Sequence, residues 1–197
     1  MKLGTTWHFF LTFVCSSLVS ALCAEPVTYE IDSSHTFPSF EADHWGGLSV
    51  WRGKINSTSG TIVLDRETEA GSMEVTMDMA TIDFGHDAMN TRAVEDILHV
   101  EQFPTATYVG QFSQFDQGVP VSVEGELTMH GVTRPVDLTI NRFRCQPHFR
   151  LPVEVCGADA SATIYRDEFG IDYDKENGFF MAVDLLITVE ARGQGDQ

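Results

Sequence analysis

Positively charged residues are scarce in this chain of 197 residues. Lysine and arginine together number 12 against 29 aspartates and glutamates, which gives a formal net charge of −17 at pH 7. Such a chain is repelled by nucleic-acid backbones and by anionic membrane surfaces. The charge therefore excludes nucleic acid as a partner. It also means that a lipid ligand has to lie inside the protein, because a basic membrane-docking face is lacking.

The chain also lacks the sequence motifs of common catalytic sites. It contains no G-x-S-x-G, no P-loop and no H-E-x-x-H. Asp83, His86 and Asp87 lie close together, but their spacing matches no well-defined set of metal ligands. With so many acids, pairs of carboxylates arise by chance and identify no glycoside-hydrolysis site. We therefore predict a binding protein that is not an enzyme and has no metal and no cofactor other than its bound ligand.

Residues 1–24 have the pattern of a secretory signal peptide. Lys2 precedes an apolar stretch over residues 7–22, and the small residue Ala24 ends the segment. A positive charge, a short apolar run and a small residue at the cleavage site are the three parts of such a signal. We predict cleavage after Ala24, with cleavage after Ala21 as the alternative, and export to the periplasm.

Residues 25–197 remain after that cleavage and are long enough to form one domain with its own core. A retained membrane anchor fits the leader less well, because the apolar run is short. A lipoprotein anchored on Cys23 is also disfavoured, because Leu22 stands where a small residue is expected. We therefore predict a single domain with no stable membrane insertion.

Cysteine is rare as well, with four residues in the chain. The predicted cleavage removes Cys15 and Cys23 and leaves Cys145 and Cys156, an even pair in an exported protein. Such a pair indicates one disulfide bond that closes a short gap, and two unpaired thiols are the alternative. A metal site is disfavoured because the two cysteines lack the C-x-x-C spacing of zinc ligands.

Apolar and polar residues alternate with a period of two in four stretches, at residues 73–79, 121–129, 158–164 and 181–189. This period gives a strand one apolar and one polar face. Several such strands with short links close most simply into an antiparallel barrel or a sandwich. The sequence thus predicts an all-β fold, and the functional question is whether its interior is filled or hollow.

Residues 87–100 break the alternation. Their apolar residues recur at close to helical spacing, and Phe103 and Pro104 follow the stretch as a stop signal. Asp87 is predicted as the N-cap, because a carboxylate can accept hydrogen bonds from the first free N–H groups of a helix. We therefore predict one short helix in an otherwise all-β chain.

Four segments carry a resemblance to a known family. They are Y-E-I-D-S-S-H at residues 29–35, H-W-G at 44–46, F-P-T-A-T-Y at 103–108 and G-E-L-T-M-H-G-V-T-R-P-V at 125–136. With these segments in this order, the chain resembles the YceI-like periplasmic proteins over residues 27–192. The resemblance implies a lipocalin-like antiparallel β-barrel of about eight strands. It also implies binding of a long isoprenoid chain, of the polyprenyl or ubiquinone type, in a hydrophobic cavity, and no established enzyme activity.

The segment before F-P departs from the commoner family pattern. Many members have N-x-x-R-D-x-H-L there, whereas this chain has F-G-H-D-A-M-N-T-R at residues 84–92. The chain resembles in this respect a subgroup that also has the cysteine pair. Contacts to the head group of a ligand are therefore not carried over from the commoner pattern.

The chain contains 14 phenylalanines, 7 methionines and 3 tryptophans, which favour a soft apolar interior. Ala158, Ala160 and Ala162 share one face of a strand and leave volume there. A core filled by these same side chains is the alternative interpretation, whereas the family resemblance favours a hollow barrel. The residues predicted to line the cavity are Phe37, Phe40, Trp45, Trp51, Phe84, Phe103, Phe112, Phe115, Phe179 and Met181, together with Ala160.

The polar residues predicted at the mouth of the cavity are His44, His86, Asp87, Asn90 and Arg92. An arginine can pair with a phosphate, and an imidazole can donate a hydrogen bond to a quinone carbonyl. Structural interpretations compete with these roles. Asp87 can simply cap its helix, Arg92 can pair with Asp96 four residues later, and His44 can be a turn residue.

We therefore predict binding, storage or transport of a long isoprenoid lipid, a quinone or a polyprenyl phosphate, in the periplasm. One alternative is an exported stress protein or enzyme that acts on a small polar molecule at His86, Asp87 and Arg92. Another is a filled barrel that serves as an interaction module beside a membrane redox partner. The sequence leaves open whether the protein is a monomer or a homodimer.

Overall fold

The computed structural model describes residues 25–194, so the predicted signal peptide lies outside the described residues. Most of the described chain is in strands, as the alternation predicts. The strands are β1 (Val27–Ile31), β2 (Phe37–His44), β3 (Ser49–Ile55), β4 (Thr58–Asp65), β5 (Ala70–Asp78), β6 (Ile82–Asp83), β7 (Thr105–Asp116), β8 (Val119–Met129), β9 (Val132–Pro135), β10 (Leu138–Pro147), β11 (Glu154–Tyr165) and β12 (Ala182–Gly193).

The strands form one antiparallel sheet that closes on itself. The order around the ring is β1-β4-β5-β7-β8-β10-β11-β12, and β12 pairs back with β1. In this closing pair, Tyr29 lies opposite Gly193 and Ile31 lies opposite Ala191. A closed ring removes the exposed edges that an open sheet would present. The predicted all-β barrel of eight antiparallel strands is therefore confirmed.

Strands β2 and β3 extend the barrel at one end. β2 follows β1 after a short break and pairs with β12 on one side and with β3 on the other. β3 runs into β4 with only Asn56 and Ser57 between them. The short β6 pairs with β3 through Lys54–Asp83 and Ile55–Ile82. This end of the barrel is the one that carries the helix.

The predicted helix is present but shorter than residues 87–100. It begins as α1 (Asp87–Arg92) and continues as a wider π-helical turn over Ala93–Ile97. The prediction of Asp87 as N-cap is wrong, because His86 holds that position. The backbone of His86 is extended, and its ring Nδ1 accepts a hydrogen bond from the N–H of Met89 at 3.2 Å. Asp87 instead lies in the first turn, where its charge favours the positive end of the helix dipole.

The opposite end of the barrel is packed shut. Tyr29, Leu64, Cys156 and Ala191 form a buried cluster there, with aromatic side chains from β7 and β10 packed against it. The hydroxyl of Tyr29 donates a hydrogen bond of 2.6 Å to the Glu154 carboxylate. Burial, and then the contact with Glu154, raise the pKa of this tyrosine. The buried hydroxyl of Tyr29 therefore has a hydrogen-bond acceptor in Glu154, and its ring belongs to the cluster that fills this end of the barrel.

A disulfide bond joins Cys145 of β10 to Cys156 of β11, as the cysteine count predicts. The two residues lie directly opposite each other in the strand pair, with 4.0 Å between their Cα atoms. Glu154 lies close to both sulfur atoms, and the three residues have the spacing of a metal group. Because the two sulfurs are bonded to each other, they offer no thiolate to an ion.

Strands β9 and β10 are separated by two residues. β9 ends at Pro135, which has no N–H to continue the ladder, and β10 begins at Leu138. The N–H of Val136 between them donates to the carbonyl of Gly125 at 2.8 Å, so pairing with β8 resumes at once. The division therefore leaves the barrel wall continuous.

Replacing both cysteines by serine should lower the free energy of unfolding by about 2–3 kcal/mol, because the disulfide restricts a loop of the unfolded chain. Urea denaturation of the oxidised wild type and of the Cys145→Ser/Cys156→Ser variant measures this difference. Dithiothreitol should destabilise the wild type by a similar amount and leave the variant unchanged. Equal stability of the two oxidised proteins would contradict a stabilising role for the disulfide.

Candidate functional site

The barrel is hollow and encloses a cavity of about 400 Å³. Its volume lies within the range of about 300–1,000 Å³ that is usual for sites of small organic ligands. The wall consists almost entirely of apolar side chains that strand alternation turns inward. Representative members are Phe40, Trp51, Ile62, Met73, Met77, Tyr108, Phe112, Leu127, Ile140, Ala158, Ala160, Leu185 and Ile187.

Most of the predicted wall residues line this cavity. They are Phe40, Trp45, Trp51, Phe84, Phe112, Phe179, Ala158 and Ala160, and the predicted mouth residues His44 and Arg92 line it too. Phe37, Phe103, Phe115, Met181, Ala162, His86, Asp87 and Asn90 do not border it. The structure therefore brings together the aromatic residues of β2, β3 and the helix region but leaves several other candidates outside.

Three of the excluded candidates have identifiable packing roles. Phe37 lies on the face of β2 opposite to that of Phe40, and the Lys54 ammonium lies 4.4 Å from its ring centre. Phe103 packs against the ring of His130, with 4.3 Å between the ring centres. Met181 is buried, and its backbone carbonyl accepts a hydrogen bond from Arg166. The sequence cannot separate these roles from cavity lining, because aromatic and methionine side chains suit both.

A connected series of rings leads from the mouth into the cavity. The ring centre of His44 lies 6.0 Å from that of Phe179 and 5.0 Å from that of Trp51. Trp51 contacts Phe84 at 5.9 Å, and Phe84 contacts Phe40 edge to face at 5.3 Å. Edge-to-face aromatic pairs contribute favourable energy beyond their buried area, so this series is a stable wall.

Two arginines lie at the mouth. Arg92 donates a hydrogen bond of 3.1 Å to the hydroxyl of Tyr173. Among the described residues, no ion pair joins Arg92 to Asp96, which was its alternative partner. The guanidinium of Arg166 donates to the carbonyls of Ile171 at 3.0 Å and Tyr173 at 2.7 Å. Burial lowers the pKa of Arg166, although neighbouring aspartates act in the opposite direction. The mouth thus combines two arginines with Asp43 and Asp174, which also line the cavity.

Sequence reasoning missed Arg166 and Tyr173. Both belong to the connection between β11 and β12, where short helical turns lie at Arg166–Phe169 and Lys175–Asn177. An arginine and a tyrosine in a polar connection resemble ordinary surface residues. Their place at the mouth comes from tertiary packing, so no local sequence pattern could have indicated it.

The carboxylate of Asp43 holds two loops of the mouth together. It accepts hydrogen bonds from the N–H groups of Gly46 and Gly47 in the β2–β3 turn and from that of Phe180 before β12. Burial raises the pKa of Asp43, but these backbone donors outweigh burial and hold the pKa below its usual range. This role of Asp43 is not evident from the sequence, because an aspartate three residues before two glycines resembles an ordinary turn residue.

The remaining predicted polar residues have structural roles. Besides the capping His86, Asn90 accepts a hydrogen bond from the N–H of Phe84 at 2.8 Å and donates one to Asp83 at 3.1 Å. Backbone and side-chain hydrogen bonds, first among them that from Gly85, hold the pKa of Asp83 below its usual range. These contacts shape the loop before α1 and do not converge on a shared polar pocket.

Among the described residues of the cavity wall, one buried hydroxyl group has no hydrogen-bond partner. Thr58 of β4 is buried, and its Oγ1 has no hydrogen-bond partner among the described residues. A buried hydroxyl without a partner is unfavourable by about 1–3 kcal/mol.

A closed barrel, an apolar cavity and a polar mouth together define a lipocalin-like ligand-binding barrel. Within residues 25–194, no helix has the length and apolar character needed to cross a bilayer. The YceI-like domain family matches residues 29–193 of the chain. The protein therefore belongs to the YceI-like family, as its sequence segments indicate.

Named relatives support this assignment. Protein YceI of Escherichia coli O6:H1 is 29% identical over 184 residues, which cover 91% of this chain and 94% of that protein. A UPF0312 protein of Pseudomonas paraeruginosa is 29% identical over 179 residues, with 89% of this chain and 92% of that protein covered. The chain thus matches nearly the full length of both proteins.

Solved structures show the same fold. BcnA of Burkholderia cenocepacia has a TM-score of 0.65 at 19% identity, with 81% of this chain and 98% of that chain covered. A polyisoprenoid binding domain of Saccharophagus degradans has a TM-score of 0.60 at 15% identity, with 84% and 98% covered. At these identities the likeness establishes the fold alone.

A bulky side chain on β11 should block the cavity. We expect Ala160→Phe to weaken binding of an apolar fluorescent probe about tenfold or more, because the phenyl ring occupies ligand volume. Val109→Phe is a matched control, because Val109 is exposed on the outer face of β7. Probe titrations and circular dichroism of both variants check the prediction. Unchanged uptake by a folded Ala160→Phe protein would contradict a ligand site at this position.

The Asp43 contacts should make stability depend on pH. A carboxyl whose pKa is lowered by folding stabilises the protein above its unfolded pKa, and that contribution disappears as pH falls through the folded pKa. Wild type should therefore exceed Asp43→Asn in Tm at pH 7, and the gap should narrow below about pH 4. Thermal unfolding of both proteins between pH 7 and pH 3 measures the gap. A gap that does not change with pH would contradict this role.

Proposed function

We propose that this protein binds a long isoprenoid lipid, either a quinone or a polyprenyl phosphate, in the barrel cavity. The observation that carries the proposal is the apolar cavity itself, which opens at a mouth that bears two arginines. Such a cavity suits a ligand with a long hydrocarbon tail and a single polar end. We further propose that the protein acts in the periplasm, where it stores the lipid or carries it between membranes.

The tail supplies most of the affinity in this proposal. Burial of a CH₂ group contributes about 0.8 kcal/mol, so roughly 20 buried carbons contribute about 16 kcal/mol. Association costs about 4–15 kcal/mol in lost freedom of motion. A tail of about four isoprene units therefore overcomes the cost without strong polar contacts. The polar end of the ligand then sets its orientation more than its affinity.

The mouth offers partners for either polar end. The guanidinium of Arg92 is exposed to solvent, with the Tyr173 hydroxyl as one of its partners, and it retains donors for a phosphate. His44 lines the cavity beside Trp51 and Phe179, and a protonated ring nitrogen there can donate to a quinone carbonyl. A phosphate head group would bind Arg92, whereas the carbonyl of a quinone could accept a hydrogen bond from either Arg92 or His44.

The fold likeness to a polyisoprenoid binding domain supports the same ligand class. The alternative, a small polar molecule held by His86, Asp87 and Arg92, gains no such support, because only Arg92 of the three lines the cavity. Members of the family share the fold of a binding protein, and the family is not known for enzyme activity. Binding, and not turnover, is therefore the function that the geometry favours.

A charge at the mouth should discriminate between lipids of equal tail length. We expect Arg92→Ala to weaken binding of a polyprenyl phosphate about 10- to 100-fold, because a charge-assisted hydrogen bond is lost. Binding of the matching polyprenyl alcohol should change little. Quenching of tryptophan fluorescence during lipid titration measures both affinities.

Arg52→Ala is the matched control for this experiment. Arg52 is an exposed arginine on the outer face of β3, where it pairs with Glu41 at 2.6 Å. Its removal should leave both affinities unchanged. An equal effect of the two variants would contradict a role of Arg92 at the head group, and failure of both lipids to bind wild type would contradict the proposed function.

A further inference from the structure

Four large apolar side chains are exposed beside the cavity mouth. Trp45 and Leu48 are 66% and 70% exposed, and Val50 and Phe180 are 51% and 57% exposed. We refer to these four residues as the rim. Isolated exposed apolar residues are ordinary, but a cluster of large ones marks a contact surface.

The rim residues belong to two loops that form one surface. Trp45, Leu48 and Val50 lie in or just after the β2–β3 turn, and Phe180 precedes β12. The ring of Phe180 lies against Gly47 of that turn. The Asp43 carboxylate joins the two loops through the backbone hydrogen bonds described above. The rim is therefore preformed, because these contacts hold its members in place.

The rim is also continuous with the cavity. Trp45 belongs to both, because its exposed ring also borders the cavity and its ring centre lies 5.6 Å from that of His44. Phe179, the neighbour of Phe180, is part of the cavity wall. A molecule that leaves the cavity at this mouth thus passes directly over the rim.

The turn that carries Trp45 has a left-handed backbone. Trp45 has φ +58°, and Gly46 and Gly47 follow with φ +62° and +89°. The left-handed region is unfavourable for a tryptophan, whereas glycine adopts it readily. Strain of this kind concentrates at functional sites, where surrounding contacts hold it.

Residues 44–50 and 178–183, which carry the rim, contain no aspartate, glutamate, lysine or arginine, although the chain holds 29 acids. Asp43 and Asp184 flank these segments, and the Asp43 carboxylate accepts hydrogen bonds from backbone N–H groups of both loops. The acidic body of the protein is repelled by anionic surfaces, but its field is screened beyond about 8 Å at physiological ionic strength. A neutral aromatic and aliphatic surface fits the interface of a lipid bilayer, where tryptophan and other aromatic residues accumulate.

We propose that the rim docks on the surface of a lipid bilayer, with Trp45, Leu48 and Phe180 among the head groups and the cavity mouth facing the membrane. The proposal rests on the proposed function, because a membrane lipid is then the molecule that crosses the mouth. In this position the isoprenoid tail moves between bilayer and cavity without exposure to water. The acidic remainder of the barrel stays in solution.

Flotation with phosphatidylcholine vesicles that contain no isoprenoid tests docking without any cargo. We expect wild type to float with the vesicles and Leu48→Ser/Phe180→Ser to lose about tenfold or more of this binding. Phe149→Ser is the matched control, because Phe149 is 80% exposed in the β10–β11 loop at the opposite end of the barrel. Its binding should equal that of wild type.

Lipid uptake separates this proposal from the proposed function. Leu48 and Phe180 do not line the cavity. The rim variant should therefore take up polyprenyl phosphate from detergent solution as wild type does, but more slowly from vesicles. If wild type takes up polyprenyl phosphate neither from detergent solution nor from vesicles, the proposed function is contradicted, but rim docking is not.

Three results would overturn rim docking. The first is equal vesicle binding by wild type and the rim variant, and the second is loss of binding in Phe149→Ser. The third is a wild-type dimer in analytical ultracentrifugation that becomes monomeric in the rim variant, because the rim would then contact a second copy of the chain.

Discussion

Closure of the barrel depends on the antiparallel pairing of β12 with β2 and, over a shorter stretch, with β1. Three residue pairs form the contact between β1 and β12, and polar groups beyond it continue the connection. The N–H of Asp32 and the hydroxyl of Thr36 both donate to the carbonyl of Glu190, whose own N–H donates back to Thr36. Hydrogen bonds to Asp32, first among them from Ser34, lower its pKa to about 2. Because β12 pairs with β2 as well as with β1, these two strands together close the sheet and remove its free edges.

A closed sheet creates an interior, and the size of the inward side chains decides whether that interior is full. Ala158 and Ala160 of β11 and Ala191 of β12 all line the cavity, where larger residues would fill it. Opposite ends of the barrel then differ in their chemistry. One is sealed by Tyr29 and its cluster, whereas the other combines aromatic rings, two arginines and the loops tied by Asp43. The two ends of the barrel are therefore chemically distinct, which is the basis for proposing a ligand with one polar end.

Local patterns in the sequence predict the features that depend on local chemistry. Period-two alternation predicts strands, helical spacing predicts α1, and the even cysteine pair predicts the disulfide between Cys145 and Cys156. The hollow interior needed the family resemblance as well, because the same phenylalanines and methionines suit a filled core. Features that depend on contacts between residues far apart in the sequence could not be predicted. Arg92 meets Tyr173 and not the nearby Asp96, and Arg166 reaches the mouth only through the packing of the β11–β12 connection.

We propose that an isoprenoid lipid occupies this cavity. Native mass spectrometry of the protein purified from cells without detergent, followed by solvent extraction of the bound material, tests this occupancy. We expect a discrete added mass that extracts as a prenyl lipid, with a quinone or phosphate head group. A bare polypeptide mass, or an added mass that extracts as a small polar molecule, would contradict it.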